Sequence, residues 1–209
     1  CIGPYDFKEI SKSEELYKLK RKILIQCGYY RIEKIYNDYQ KDLKQKPRSQ
    51  GSNQAILIAP SWHPGNILES CIQDLVAALK NSENRIVIRP HPEFVKRKRK
   101  IVERIKKEIK NIENIELELD LLFDLSICKS DILITDWSAI SFEYAFGTER
   151  PVLFIDTVCK INNSEYRELE IEPVEFVTRN EIGKAIGVTD IKNMGQIITE
   201  MSDKRAWYR

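Results

Sequence analysis

The sequence predicts an α/β protein built on a doubly wound parallel sheet. Three observations carry that expectation. Short apolar runs alternate with longer helical stretches, the runs are near-continuously apolar, and the unusual polar residues fall directly behind them. Parallel strands covered on both faces produce such unbroken apolar runs. Their repetition with helices gives the α/β class. Right-handed crossovers then bring the strands' carboxyl ends to one edge, where open sheets of this kind bind ligands.

In chain order, the runs predicted as strands are 23–26, 55–59, 85–88, 115–119, 132–135 and 152–155. Helices are expected between them at 67–80, 94–110, 121–128 and 138–146, with closing helices at 182–188 and 191–201. Residues 1–53 differ from this repeat: "GYYRIEKIYNDYQKDLKQ" is rich in tyrosine and lysine, and "KPRSQGSNQ" has linker composition. The expected organisation is an approach arm or interdomain connector over 1–53, a nucleotide-donor-binding domain over 54–189, and a closing helix and tail over 190–209.

Composition narrows the function. With 209 residues the chain fits one domain of ordinary size and can bury a core. A formal net charge of +2 gives no global field to attract nucleic acid. The five cysteines are odd in number, scattered, and without a C-x-x-C pair, which points to free thiols in a reducing, cytoplasmic compartment. No stretch approaches about 18 uninterrupted apolar residues, the length a spanning helix needs. The chain opens at Cys1 rather than Met, as an excised piece of a longer protein would.

Three strand exits hold the candidate site. After 55–59 comes Pro60-Ser61-Trp62-His63-Pro64-Gly65, after 85–88 comes Arg89-Pro90-His91-Pro92, and after 132–134 comes Thr135-Asp136-Trp137-Ser138. A residue before proline is pushed out of the helical region, and proline is favoured at a first helical position. His63 and His91 are therefore expected at strand-to-helix corners, near the positive end of a helix, which keeps an imidazole neutral near pH 7. Arg89 and His91 are two apart and leave an extended backbone on the same face, a pairing suited to a phosphate and an acid–base step at it. The plainer alternative is that proline starts the helix and histidine caps it.

At the third exit, free N–H groups at a helix start near Ser138, with the Thr135 hydroxyl alongside, make an anion site of the kind phosphates occupy. No glycine run is present, so it is neither a P-loop nor a dinucleotide fingerprint. The plainer alternative is that Asp136 or Ser138 only caps the helix, a role compatible with ligand binding. Glu143, one turn further, is placed either to reach a ribose hydroxyl or to sit solvated. Asp136 and Asp156 are candidate Mg²⁺ ligands, while Arg89 and helix N-termini could neutralise a diphosphate without metal. Along "VKRKRKIVERIKKEIK" (95–110), apolar residues keep helical spacing, so the cations form an opposite face. That face is either simply solvated or attracted to anionic lipid headgroups. Nucleic acid is disfavoured because no aromatics interleave with the cations.

Taken in order, "GYYR" (28–31), "ILIAPSW" (56–62), "RPHP" (89–92), "DILITDWSAISFEYA" (131–145) and "RPVLFID" (150–156) resemble the CDP-glycerol glycerophosphotransferase family, which builds teichoic-acid-like and capsule polymers in the cell envelope. The resemblance implies the GT-B architecture of two Rossmann-like domains, with this chain as the C-terminal, donor-binding half and the N-terminal domain as its missing partner. It implies a catalytic role for His91 at the donor diphosphate, with Arg89 stabilising charge. It places Ser61, His63, Thr135, Asp136, Trp137, Ser138 and Glu143 around the substrate. The implied reaction is attack by an acceptor hydroxyl of a polyol-phosphate or glycan on the phosphorus of CDP-glycerol or another CDP-polyol, with CMP leaving. The implied location is the inner face of the plasma membrane, on an anionic surface. The sequence departs from the family at Trp137, where tyrosine is usual, at Ala139, where serine is usual, and at His63, which stands at an arginine position. Two alternatives therefore stay open: a GT-B glycosyltransferase or epimerase domain using a nucleotide sugar, and a non-catalytic nucleotide-binding module.

Overall fold

A computed structural model describes residues 3–45, 53–120 and 124–203. In chain order its elements are α1 (Pro4–Leu16), α2 (Tyr30–Gln45), β1 (Ala55–Ile58), α3 (Ile67–Ser70), α4 (Ile72–Leu79), β2 (Arg85–Ile88), α5 (Pro92–Arg97), α6 (Arg99–Ile109), β3 (Ile115–Leu117), α7 (Leu125–Lys129), β4 (Ile132–Thr135), α8 (Ile140–Thr148), β5 (Val152–Asp156), α9 (Val174–Ile182), β6 (Gly183–Gly187) and α10 (Met194–Asp203). Short 3₁₀ segments lie at Tyr166–Leu169 and Val188–Asn193.

The six strands form one parallel sheet in the order β3-β2-β1-β4-β5-β6. This is the doubly wound, Rossmann-like arrangement, with its switch point between β1 and β4, where the chain turns from building one half of the sheet to the other. Side-chain alternation divides the core into two layers. Ile56, Ile58, Ile86 and Ile88 pack with Leu68, Leu75, Val102, Ile105 and Ile198 on one face. Leu57, Ala59, Val87 and Leu133 pack with Ile35, Ile127, Tyr144 and Ile182 on the other. Every central strand is covered twice, which accounts for the unbroken apolar runs.

Several elements differ from expectation. Residues 23–26 form no strand: Ile23 and Ile25 are 93% and 69% exposed, and three apolar residues without a neighbouring strand gain nothing by extending. The segment 182–188, expected as helix, contains β6 instead. Gly183 lies so close to β5 that a Cβ there would stand 1.7 Å from the Val152 carbonyl oxygen. The expected helix 67–80 breaks at Cys71, and 94–110 breaks at Lys98. α2, within the expected arm, packs along α8 and buries Ile35 and Tyr39. Gly147 permits that approach, because a Cβ on it would meet Ile35 Cγ2 at 2.6 Å. Buried Arg150 lies over the Tyr39 ring at 4.8 Å and donates to the Ser130 carbonyl, fastening α2 to the sheet.

The cations of α6 are exposed while Val102, Ile105 and Ile109 are buried, as the spacing predicts. Cys71 and Cys128 are buried thiols outside any disulfide, Cys27 is exposed and Cys159 half-buried. No helix among the described residues is long and apolar enough to cross a membrane. Most of the expected linker, the start of the expected helix at 121–128 and the terminal 204–209 lie outside the described residues.

Candidate functional site

At the switch point the exits of β1 and β4 are tied together by one carboxylate. Asp136, 1% exposed, accepts the Ser61 backbone N–H at 2.7 Å through Oδ1 and the Ile67 backbone N–H at 3.1 Å through Oδ2. It therefore serves the start of α3, where it supplements the Asn66 cap, and not the helix that follows it in sequence. Fully buried Thr135 donates its hydroxyl to the Ala59 carbonyl at 2.7 Å, a second strap between the same strands. Ser61 Oγ lies 2.8 Å from His63 Nδ1, and His63 Nε2 lies 2.8 Å from the Val158 carbonyl oxygen. A carbonyl can only accept, so Nε2 carries a hydrogen and donates it to Val158, and the tautomer with Nδ1 unprotonated accepts a hydrogen bond from the Ser61 hydroxyl. Both ring nitrogens of His63 are thus committed within the protein.

At the β2 exit, Arg89 is 7% exposed and held on three sides. It donates to Ser126 Oγ at 2.9 Å and Asp124 Oδ1 at 3.3 Å, and its Nε lies 3.6 Å from Glu118 Oε2. Its charge is balanced by carboxylates before any ligand arrives. His91 caps α5: Nδ1 accepts the Glu93 backbone N–H at 3.1 Å. The capping and functional alternatives are compatible, because capping uses only one nitrogen. It fixes the neutral tautomer with hydrogen on Nε2, which has no partner among the described residues. Burial pushes the imidazole below its ordinary pKa; Lys160 adds to this and Glu93 opposes it. In this state His91 presents a hydrogen-bond donor, not a base.

The β4 exit leads through Trp137 and Ser138 into α8. The first backbone bonds there run from Ser141 to the Ser138 carbonyl and from Phe142 and Glu143 to the Ala139 carbonyl. The N–H groups of Ala139 and Ile140 have no acceptor among the described residues, as expected at a helix start. One turn on, Glu143 is neither solvated nor free: it accepts the Tyr29 hydroxyl and Arg31 Nε, each at 2.5 Å. Burial and this carboxylate push the Tyr29 phenol up to about 12. Gly28, at φ +70°, makes the turn that delivers Tyr29 and Arg31 to α8, which gives "GYYR" its physical meaning.

Asp124 gathers three cations, with Arg31 at 3.2 Å, Lys34 at 3.4 Å and Arg89 at 3.3 Å. These groups, with His91 and residues 138–140, line a cleft of about 530 Å³ over the switch point. Of the predicted site residues, His91, Arg89, Ser138 and Glu143 line this cleft, while Ser61, Thr135 and Asp136 brace the loops around it. His63 and Trp137 are directed elsewhere. The Trp137 indole N–H donates to the Thr157 carbonyl at 3.3 Å, and its ring lies between the Arg179 guanidinium at 4.0 Å and Phe176 at 5.1 Å. Trp137 lines a second cavity of about 270 Å³, which shares the lining residue Ala139 with the cleft. Trp62 approaches His91 instead, with ring centroids 6.1 Å apart, under the Arg97 guanidinium at 5.2 Å. Arg31 was visible in a quoted motif; Lys34 and Asp124 carry no local signal.

The Mg²⁺ candidates do not fit a metal site as placed. Both Asp136 oxygens are taken by backbone N–H groups, and Asp156 lies 2.7 Å from Arg179. Among the described residues no cluster of three metal-ligating side chains occurs.

The sequence profile of one family, described as CDP-Glycerol:Poly(glycerophosphate) glycerophosphotransferase, matches residues 8–169. No curated protein matches the chain. Solved structures that resemble it include a candidate UDP-N-acetylglucosamine 2-epimerase from Listeria monocytogenes, with TM-score 0.46, 16% identity, and 89% of this chain and 42% of that one covered. The glycosyltransferase GlyE of Streptococcus pneumoniae TIGR4 gives TM-score 0.40 and 16% identity, covering 79% of this chain and 37% of that one. The chain thus spans about two fifths of the length of these structures.

Proposed function

The chain belongs to the CDP-glycerol:poly(glycerophosphate) glycerophosphotransferase family, and from that membership we propose that it is the donor-binding half of a two-domain GT-B transferase. The cleft over the switch point holds the pyrophosphate of a CDP-linked polyol, CDP-glycerol foremost. An acceptor hydroxyl attacks the phosphorus bearing the polyol, the bond to the CMP oxygen breaks, and CMP leaves. Such a transfer depends on positioning and charge stabilisation more than on covalent catalysis.

One observation carries this reading: a single cavity gathers the unoccupied Nε2–H of His91, the acceptor-free N–H groups of Ala139 and Ile140, and the cations Arg31 and Lys34. Helix-start N–H groups and cations are the donors that phosphate oxygens take. His91 as a neutral donor stabilises charge on the pyrophosphate, while Arg89 acts from beneath by positioning Asp124. A hydroxyl-deprotonating base is not supplied by His91 in this state, so it belongs to the other domain. The exposed cations of α6 supply a face for peripheral attachment to an anionic cell-membrane surface during envelope polymer synthesis. Cosedimentation with liposomes that did not rise with anionic lipid content would remove that attachment.

Calorimetric titration with CDP-glycerol, CDP-ribitol, CMP and a UDP-sugar tests the donor. Binding of cytidine nucleotides, weakened at least tenfold by His91→Ala, is expected. Binding of a UDP-sugar in the absence of cytidine binding would overturn it in favour of a nucleotide-sugar enzyme.

A further inference from the structure

We infer that the second cavity, behind Trp137, is a separate binding site for a neutral polyhydroxylated unit, a sugar ring or an alditol, and does not take a phosphate chain. As a binding site it stands independently of the donor reading of the neighbouring cleft.

Its walls set the ligand class. Trp137, Phe176, Tyr166 and Tyr5 supply aromatic surface, and Asn162 and Asn163 supply amides that both donate and accept. Tyr5 and Phe176 are 43% and 39% exposed although large and apolar, so this surface lacks a cover in the described chain. Trp137 is held rigidly, its indole N–H on Thr157 and one ring face against Arg179. A fixed ring offers contact area at little entropic cost.

The charges exclude a polyanion. Asp6, Glu9, Glu172 and Glu175 line the cavity, and Lys160 is the one cation among the lining residues. Arg179, behind the ring, is already matched by Asp156 at 2.7 Å. A phosphodiester brought here meets like charge, whereas hydroxyl groups meet acceptors. At about 270 Å³ the space is near the lower end for ligand sites, suited to a single ring and not to a nucleotide. The donor cleft next door has the opposite character, with Arg31 and Lys34 in its wall. Ala139 is in the lining of both, so the two chemically unlike spaces are neighbours on the same sheet edge.

The test uses the whole 209-residue chain and the Trp137 indole ¹⁵N–¹H signal, assigned with Trp137→Phe. The probes are ribitol and the methyl glycosides of glucose, mannose and N-acetylglucosamine, with glycerol 3-phosphate as the charged comparison. At least one neutral probe should move the signal, with affinity falling about tenfold in Phe176→Ala and in Glu172→Gln/Glu175→Gln. Glycerol 3-phosphate should leave it in place at the same concentration, and CMP affinity should stay within about twofold in both variants. Silence of all neutral probes, or a stronger response to glycerol 3-phosphate, would overturn the inference. A chain that bound a glycoside here but not CMP would refute the donor reading and still support this site.

Discussion

Replacing Asp136 by asparagine separates a brace from a ligand-binding carboxylate. The native side chain accepts two backbone N–H groups, from Ser61 at 2.7 Å and Ile67 at 3.1 Å, inside a site with 1% exposure. Asparagine keeps one acceptor oxygen and turns its amide hydrogens toward the other N–H, so one buried donor loses its partner. A lost hydrogen bond to a charged group, with an orphaned donor left behind, costs about 2–3 kcal/mol. With a urea slope of about 2 kcal/mol per molar, the unfolding midpoint should fall by roughly 1 M at unchanged slope. Asp136→Ala, which orphans both donors, should fall further. Urea unfolding followed by circular dichroism measures both, with CMP titration of the folded variants alongside. A midpoint within about 0.2 M of the parent, accompanied by lost CMP binding, would show that Asp136 serves the ligand and would refute the reasoning.

Because burial lowers the His91 pKa, its proton is released more readily in the folded chain than in the unfolded one. The associated stability is complete above about pH 6.5 and is lost as pH falls through the folded value. NMR titration of the ring in a His63→Gln background should give a midpoint below about 6.5, and a midpoint above it would contradict the burial argument. Gly183→Ala should cost about 3 kcal/mol or detach β6, since its Cβ would stand 1.7 Å from the Val152 carbonyl oxygen; hydrogen exchange at residues 183–187 reads this directly. Tyr29→Phe removes a hydroxyl bonded to a buried carboxylate and should cost about 2 kcal/mol, falling to about 1 kcal/mol in a Glu143→Gln background, where the acceptor is a neutral amide oxygen.

The sheet was legible because four of its strands, β1, β2, β4 and β5, are apolar on both faces, and double coverage leaves that mark in any sequence, while the edge strand β3 showed itself by Ile115 and Leu117 flanking an exposed Glu116. The sixth was not: "GKAIG" is short, bounded by glycines and half-buried at an edge, so its pattern resembles a helix end more than a strand. The run at 23–26 shows the converse, apolar composition with no neighbouring strand to pair with. In the site, proline marked one histidine corner correctly, since Pro92 opens α5 and His91 caps it, whereas Pro64 lies in a turn and the helix after His63 starts only at Ile67, behind the Asn66 cap. Which way each side chain then points depends on partners far along the chain, such as Val158 for His63 and Thr157 for Trp137. Lys34 and Asp124 are ordinary surface residue types in the sequence and become part of the cleft only when α2 packs along α8.

The buried carboxylate that joins the β1 and β4 exits also bears on the speed of capture. Two loops that share one anchor have already lost their independent freedom when the chain folds, so ordering them adds little further entropic penalty on association. The mouth of the crevice is preformed, and a ligand entering it need not wait for its walls to assemble. Encounter, accelerated by the cations at the rim, then sets the pace of binding.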